Sequence, residues 1–266
     1  HPIGEALTEG QLFVDDLADV AGGPAALDDI MNDPLLEMGQ FLPHLSWFGG
    51  GLDLPDYSTV TSSNHLNFMR QRVLDAHAAG SVVSYNHPYG YTAGALLPRS
   101  QQDSARAQLA ATLLGNKVIG CDIIEVGYRG RAGMDLAHHV GLWDILSRNA
   151  LFLTGNGVTD DHSGTNWLTL TNNWVTSVWA PDRSRKVLLD ALRSGRAWLS
   201  SLSGFKGQLD LLADGVAPMG SASISAAAQR SLKIVATGVP SGGSLRVIRG
   251  TVDYAGTADP TPSTQT

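Results

Sequence analysis

Four residues in this chain have types and spacing that suit chemistry: His87, Glu125, Asp160 and His162. Each follows or closes a short apolar run. The runs are Ser81-Val-Val-Ser-Tyr-Asn-His-Pro88, Cys121-Asp-Ile-Ile-Glu-Val-Gly-Tyr128 and Leu151-Phe-Leu-Thr-Gly-Asn-Gly-Val-Thr-Asp-Asp-His162. Imidazole nitrogen and carboxylate oxygen are donors that Zn, Mn and Fe accept. An Asp and a His one residue apart on an extended or irregular segment can converge on one cation. A bound divalent ion brings the pKa of its water to about 7, against 15.7 for bulk water, and polarises phosphoryl or carbonyl oxygens. Hydrolysis of an ester is the natural outcome. His65, in a polar cluster after a β-rich run, is a candidate extra ligand for a site with more than one ion. Glu125 reads as a ligand or an orienting base. Arg129, in the glycine-rich segment Gly127-Tyr-Arg-Gly-Arg131, is a candidate clamp for an anionic substrate, with a solvated loop as the competing reading.

The elements that must position these residues alternate. A short β-rich run ends in a polar residue, a helical segment follows, and the unit repeats. That is the pattern of an α/β barrel or open α/β sheet, where chemistry sits at the carboxyl ends of the strands. Apolar periodicity predicts helices over 69–79, 101–114, 134–148 and 183–194, the first stopped by Gly80, the last capped by Asp182 and stopped by Gly195. Pro88 ends its strand and is expected to hold His87 extended. The run 150–153 reads as a buried strand that turns at Gly155-Asn156-Gly157. Residues 89–99 read as a loop able to cover the site. Two amphipathic helices are expected over 10–20 and 24–31, then an irregular loop over 41–51. His44 in that loop reads as a surface or packing residue, as do the helical pair His138 and His139. His77 is expected to face solvent.

The 266 residues suit one large domain, or one medium domain with a small companion. A net charge of −7 without an evident basic face argues against nucleic acid as a partner. One cysteine, Cys121, excludes an internal disulfide framework and a cysteine-rich zinc site. No run reaches the ~20 apolar residues of a membrane helix. The chain starts at His1, which suggests a processed chain or a fragment. Sparse charge with abundant Gly, Ser and Thr points to a secreted or periplasmic protein. From Ser203 helical periodicity vanishes, and short β-rich runs at 208–212, 222–224, 232–236 and 245–248 alternate with Gly and Pro turns. The expected division is an α/β domain over 1–202, a small antiparallel β-rich module over 203–256, and a tail or linker over 257–266.

Tyr85-Asn-His-Pro88, Ile123-Ile-Glu-Val126, Gly157-Val-Thr-Asp-Asp-His162 and Leu189-Asp-Ala-Leu-Arg-Ser-Gly-Arg196 together resemble the polymerase and histidinol phosphatase (PHP) superfamily. The likeness is to its metal-dependent phosphoesterase-like branch, which includes carbaryl-hydrolase-like proteins, and covers roughly residues 64–200. The resemblance implies a distorted (β/α)7-type barrel with one to three Zn, Mn or Fe ions. It implies phosphoester hydrolysis, or less often hydrolysis of another ester. Under it His87 matches the His-Pro ligand, Asp160 and His162 match the final Asp-x-His ligands, and Glu125 matches an acidic strand end beside the site. The family's opening His-x-His and its next Asp-His have no counterpart here, and Thr59 stands near the place of an expected glutamate. The first strands are thus either upstream of His1 or lost.

The reading is a metal-dependent, phosphoesterase-like hydrolase of a small-molecule or anionic ester, with no nucleic-acid partner and no membrane insertion. One alternative is a non-catalytic PHP-like scaffold that binds a ligand such as a glycan through the aromatic stretch 167–179 and the β-rich module. Another is a metal-dependent carboxylester or amide hydrolase.

Overall fold

A computed structural model of the chain describes residues 43–50, 52, 56, 58–90, 95–160 and 172–252. The expected helices over 10–20 and 24–31, Asp161, His162, Trp167, part of the 89–99 loop and the C-terminal tail lie outside the described residues.

The architecture is mixed α/β. Its centre is a four-stranded sheet in the order β1 (Leu45–Phe48), β2 (Val82–Tyr85), β3 (Ile123–Gly127) and β6 (Thr154–Gly157). β2, β3 and β6 are parallel, and β1 runs antiparallel to β2 with Leu45 opposite Tyr85. The described strands form this open sheet and small antiparallel sheets, and do not close into a barrel. Helix α1 (His65–Ala78) leads into β2, α2 (Arg99–Asn116) joins β2 to β3, and α3 (Leu136–Arg148) joins β3 to β6. Parallel neighbours require such crossovers.

Helices cover both faces of the sheet. Ala110 and Leu113 of α2 and Leu142, Ile145 and Leu146 of α3 pack with Ile124 and Val126 of β3. On the other face, Leu189 and Leu192 of α4 (Arg185–Arg193) pack with Val82 and Ile123. Ile123 and Ile124 therefore face opposite layers, as alternation along a strand demands. Burial on both faces is why β2 and β3 read as continuous apolar runs. Asp135 caps α3, its carboxylate accepting the His138 N–H at 3.0 Å.

β4 (Gly130–Arg131) and β5 (Met134–Asp135) form a small hairpin between β3 and α3. Its two turn residues, Ala132 and Gly133, have φ of +49° and +75°, the left-handed pair of a tight two-residue turn. β7 (Trp174–Val178) pairs with β8 (Ala197–Ser201), and β9 (Gln208–Ala213) lies between β10 (Ala217–Pro218) and β11 (Leu232–Thr237). Trp179 ties these last two sheets together. Its ring lies 5.4 Å from that of Trp198, and its Nε1–H donates to the Leu209 carbonyl at 2.8 Å.

Several expectations change. The 41–51 segment contains a strand, β1, because its backbone pairs with β2 across more than thirty intervening residues. The strand before His162 is 154–157, not 150–153. It runs straight through Gly155-Asn156-Gly157, and Phe152 is exposed. The glycines are there because bulky neighbours press on the strand. A Cβ on Gly155 would lie 2.9 Å from the Trp143 ring, and one on Gly157 2.8 Å from the Val175 carbonyl. Neither 222–224 nor 245–248 is a strand; the short β10 takes the place beside β9. His77 is turned to Asp122, Nε2 to Oδ2 at 2.8 Å, rather than to open solvent.

Candidate functional site

The carboxyl ends of β2, β3 and β6 share one edge of the sheet, and the antiparallel β1 brings its amino end there. His44 and His87, which flank the paired residues Leu45 and Tyr85, therefore meet. His44 Nδ1 lies 2.9 Å from His87 Nε2, with the rings edge-on at 4.5 Å between centroids. The Asn86 N–H donates to the His44 carbonyl at 2.9 Å and fixes the pair's backbones.

His87 is not extended. Its φ is +23°, and its carbonyl accepts the Gly90 N–H at 2.7 Å in a tight turn. The His87 N–H meets the Glu125 carboxyl in a close contact. Asp160 also has a positive φ, +55°, which Asp tolerates better than most residues. Unusual backbone at two adjoining side chains is common where function demands a geometry.

Glu125 is buried. It accepts the His87 N–H and the Tyr128 hydroxyl, both in short contacts. Burial pushes its carboxyl up to about 7; the hydrogen bonds from Tyr128 and His87 pull the other way, and the Asp160 charge adds to the rise. His87 is pushed down to about 4, by burial first and then by the neighbouring His44, so its ring is neutral at pH 7. The β3–β6 register slips between Glu125 and Gly127, a bulge beside the candidate site. Asn156 stands opposite Glu125 on β6, buried, and its Oδ1 has no hydrogen-bond partner among the described residues.

Beyond Glu125, the fully buried Tyr128 has the Arg131 guanidinium over its ring at 5.4 Å. Arg131 pairs with Asp160 in a close contact. His139 fits between Tyr89 and Tyr128, each ring centroid 4.9 Å away. Its Nδ1 lies 2.9 Å from the Asp135 carbonyl, which can only accept, so Nδ1 carries the proton. Nε2 is then a bare acceptor, without a partner among the described residues. Burial pushes His139 down to about 4.

Of the residues singled out in the sequence, His87, Glu125 and Asp160 come together. His162 lies outside the described residues. His65 sits at the start of α1 with Nδ1 2.8 Å from the Ser62 carbonyl, and none of its contacts is with the other three. Arg129 is exposed, its N–H donating to Asn172 Oδ1 at 3.1 Å. His44 and His139 were read as surface or packing residues, and Tyr128, Arg131 and Asn156 were not singled out in the sequence. The spacing Glu125–Tyr128–Arg131 around a Gly-rich turn was the one available signal for two of them.

The donor chemistry suits a borderline cation: two imidazoles converge, and one is held neutral at pH 7 by burial. Among the described residues, however, no group of three or more His, Cys, Asp and Glu side chains could hold a metal ion. Asp160, which would be the next donor, is engaged by Arg131. No described helix is long and apolar enough to cross a membrane. Comparison with protein-family models, with curated proteins and with solved structures gives no match.

Proposed function

We propose that the protein is a metal-dependent hydrolase of phosphoester-like anionic substrates. In this reading the four-stranded sheet is part of a distorted (β/α)7-type barrel, and residues 203–256 form a small β-rich companion module. His44, His87, Asp160 and His162 would hold one or more Zn, Mn or Fe ions, with His65 as a further donor only if a second ion binds. The ion would supply an activated water and a Lewis acid for the ester oxygen.

The chain's own residues have definable tasks. Glu125, near neutrality in its pKa, can take and return a proton at physiological pH. The His87 N–H and the Tyr128 hydroxyl hold its carboxyl in one orientation. The His87 ring is neutral at pH 7 and paired with His44, and Asn156 stands opposite Glu125 on β6. The observation that carries the reading is the meeting of His44, His87, Glu125, Arg131 and Asp160 at one edge of the sheet.

The test is hydrolysis by the full chain supplied with Zn, Mn or Fe, against phosphomonoesters, phosphodiesters, carboxylesters and amides. The reading expects phosphoester turnover, lost in His87→Ala and reduced about 10²- to 10⁴-fold in Glu125→Gln. Turnover of carboxylesters or amides alone would support the alternative hydrolase. No turnover with any metal would overturn the catalytic reading.

A further inference from the structure

We propose that Arg131 receives the anionic oxygens of the substrate, and that Asp160 occupies that position as an internal stand-in until substrate displaces it. The assignment rests on the ester-hydrolase reading above and deepens it, because it makes a negative charge on the substrate a requirement.

Two arginines border the site, and they differ in kind. Arg129 is exposed. Arg131 is only 8% exposed, and its buried Nε–H has no hydrogen-bond partner among the described residues. A guanidinium presents five N–H donors in a fixed plane. Here one terminal nitrogen, Nη2, meets a carboxylate oxygen of Asp160. A buried donor left unpaired is unfavourable, and a two-oxygen anion would satisfy it by engaging adjacent nitrogens of the fork.

The guanidinium is also held in place before any ligand arrives. Arg131 ends β4 at the tight turn of Ala132 and Gly133. That turn is pressed against Leu97, whose Cγ would lie 2.6 Å from a Cβ on Gly133. The guanidinium itself lies over the ring of Tyr128, whose hydroxyl donates to Glu125. An anion at Arg131 would therefore sit within the same cluster as the acid–base carboxyl. A neutral ester carries no charge with which to displace Asp160.

If Asp160 competes for Arg131, deleting its charge must strengthen anion binding rather than weaken it. The full chain is titrated calorimetrically with inorganic phosphate in the presence of a chelator. Asp160→Asn is expected to bind about tenfold tighter than the parent, and Arg131→Lys, which keeps the charge but not the fork, about tenfold weaker. Arg131→Met should show no binding; circular dichroism and a urea midpoint check its folding, and Arg131→Lys carries the test if it does not fold. The proposal is overturned if phosphate affinity is indifferent to both Arg131 variants. It is equally overturned if the loss falls on Arg129→Met instead, if Asp160→Asn binds more weakly, or if neither parent nor Asp160→Asn binds phosphate. Arg131-dependent phosphate binding without ester turnover would sink the catalytic reading alone. Turnover of anionic esters with binding indifferent to Arg131 would sink this assignment alone.

Discussion

His44 Nδ1 stands 2.9 Å from His87 Nε2 across 43 residues of chain. The contact exists because β1 lies antiparallel to β2, so the start of one strand and the end of the other share an edge. Burial is the larger cause of the low pKa of His87 and the His44 charge the second. In His44→Ala the His87 pKa should therefore rise from about 4 and stay below its ordinary 6.5. Imidazole nitrogen shifts followed through a pH titration of the chelator-treated chain report this. A value at or above 6.5 would mean that His44, not burial, sets the site's electrostatics.

His87, His139 and Glu125 also predict how stability changes with pH. His87 and His139 are lowered from 6.5 to about 4, so between those values the unfolded chain binds two protons that the folded chain does not. Stability gained from these rings is present above pH 6.5 and lost as pH falls toward 4. Glu125 is raised from 4.5 to about 7, so its folded form holds one extra proton and opposes the trend. Around pH 5.5 the balance is about one proton, so stability should rise with pH there, by roughly 1 kcal/mol per unit. Glu125→Gln removes the opposing proton, and the slope should double. Urea unfolding at several pH values measures both slopes; equal slopes in parent and variant would rule out a raised Glu125.

Gly155 lies beneath Trp143, whose Nε1–H is fixed to the Leu153 carbonyl at 2.8 Å. A Cβ at Gly155 would meet three ring atoms at 2.9 to 3.0 Å. Gly155→Ala should therefore cost about 1–3 kcal/mol, the usual range for overpacking. Denaturant midpoints of parent and variant decide this, and a variant as stable as the parent would show that the indole can shift freely.

What was legible in the sequence tracks what is local. Helix α2 was expected over 101–114 and spans Arg99–Asn116, because its apolar positions repeat within the element. β3 lies in the run 121–128 singled out in the sequence and spans Ile123–Gly127, because both its faces are buried. β1 was missed since four residues carry little pattern, and only pairing with β2 makes them a strand. β6 was misplaced because its glycines answer to Trp143 and to the β7 backbone, which no local rule reveals. Arg131 could not be told from Arg129, since the choice depends on the hairpin that turns one inward. His138 and His139 were read as surface or packing residues, and both are buried. Their burial depends on neighbours that the spacing does not name.

The most direct test of the central claim is the metal content of the purified full chain by mass spectrometry, beside His44→Ala and His87→Ala variants of checked folding. The account predicts at least about one equivalent of Zn, Mn or Fe per chain, as a catalytic site requires, and its loss in both variants. A parent that retains no metal after reloading, or variants that retain as much as the parent, would contradict it.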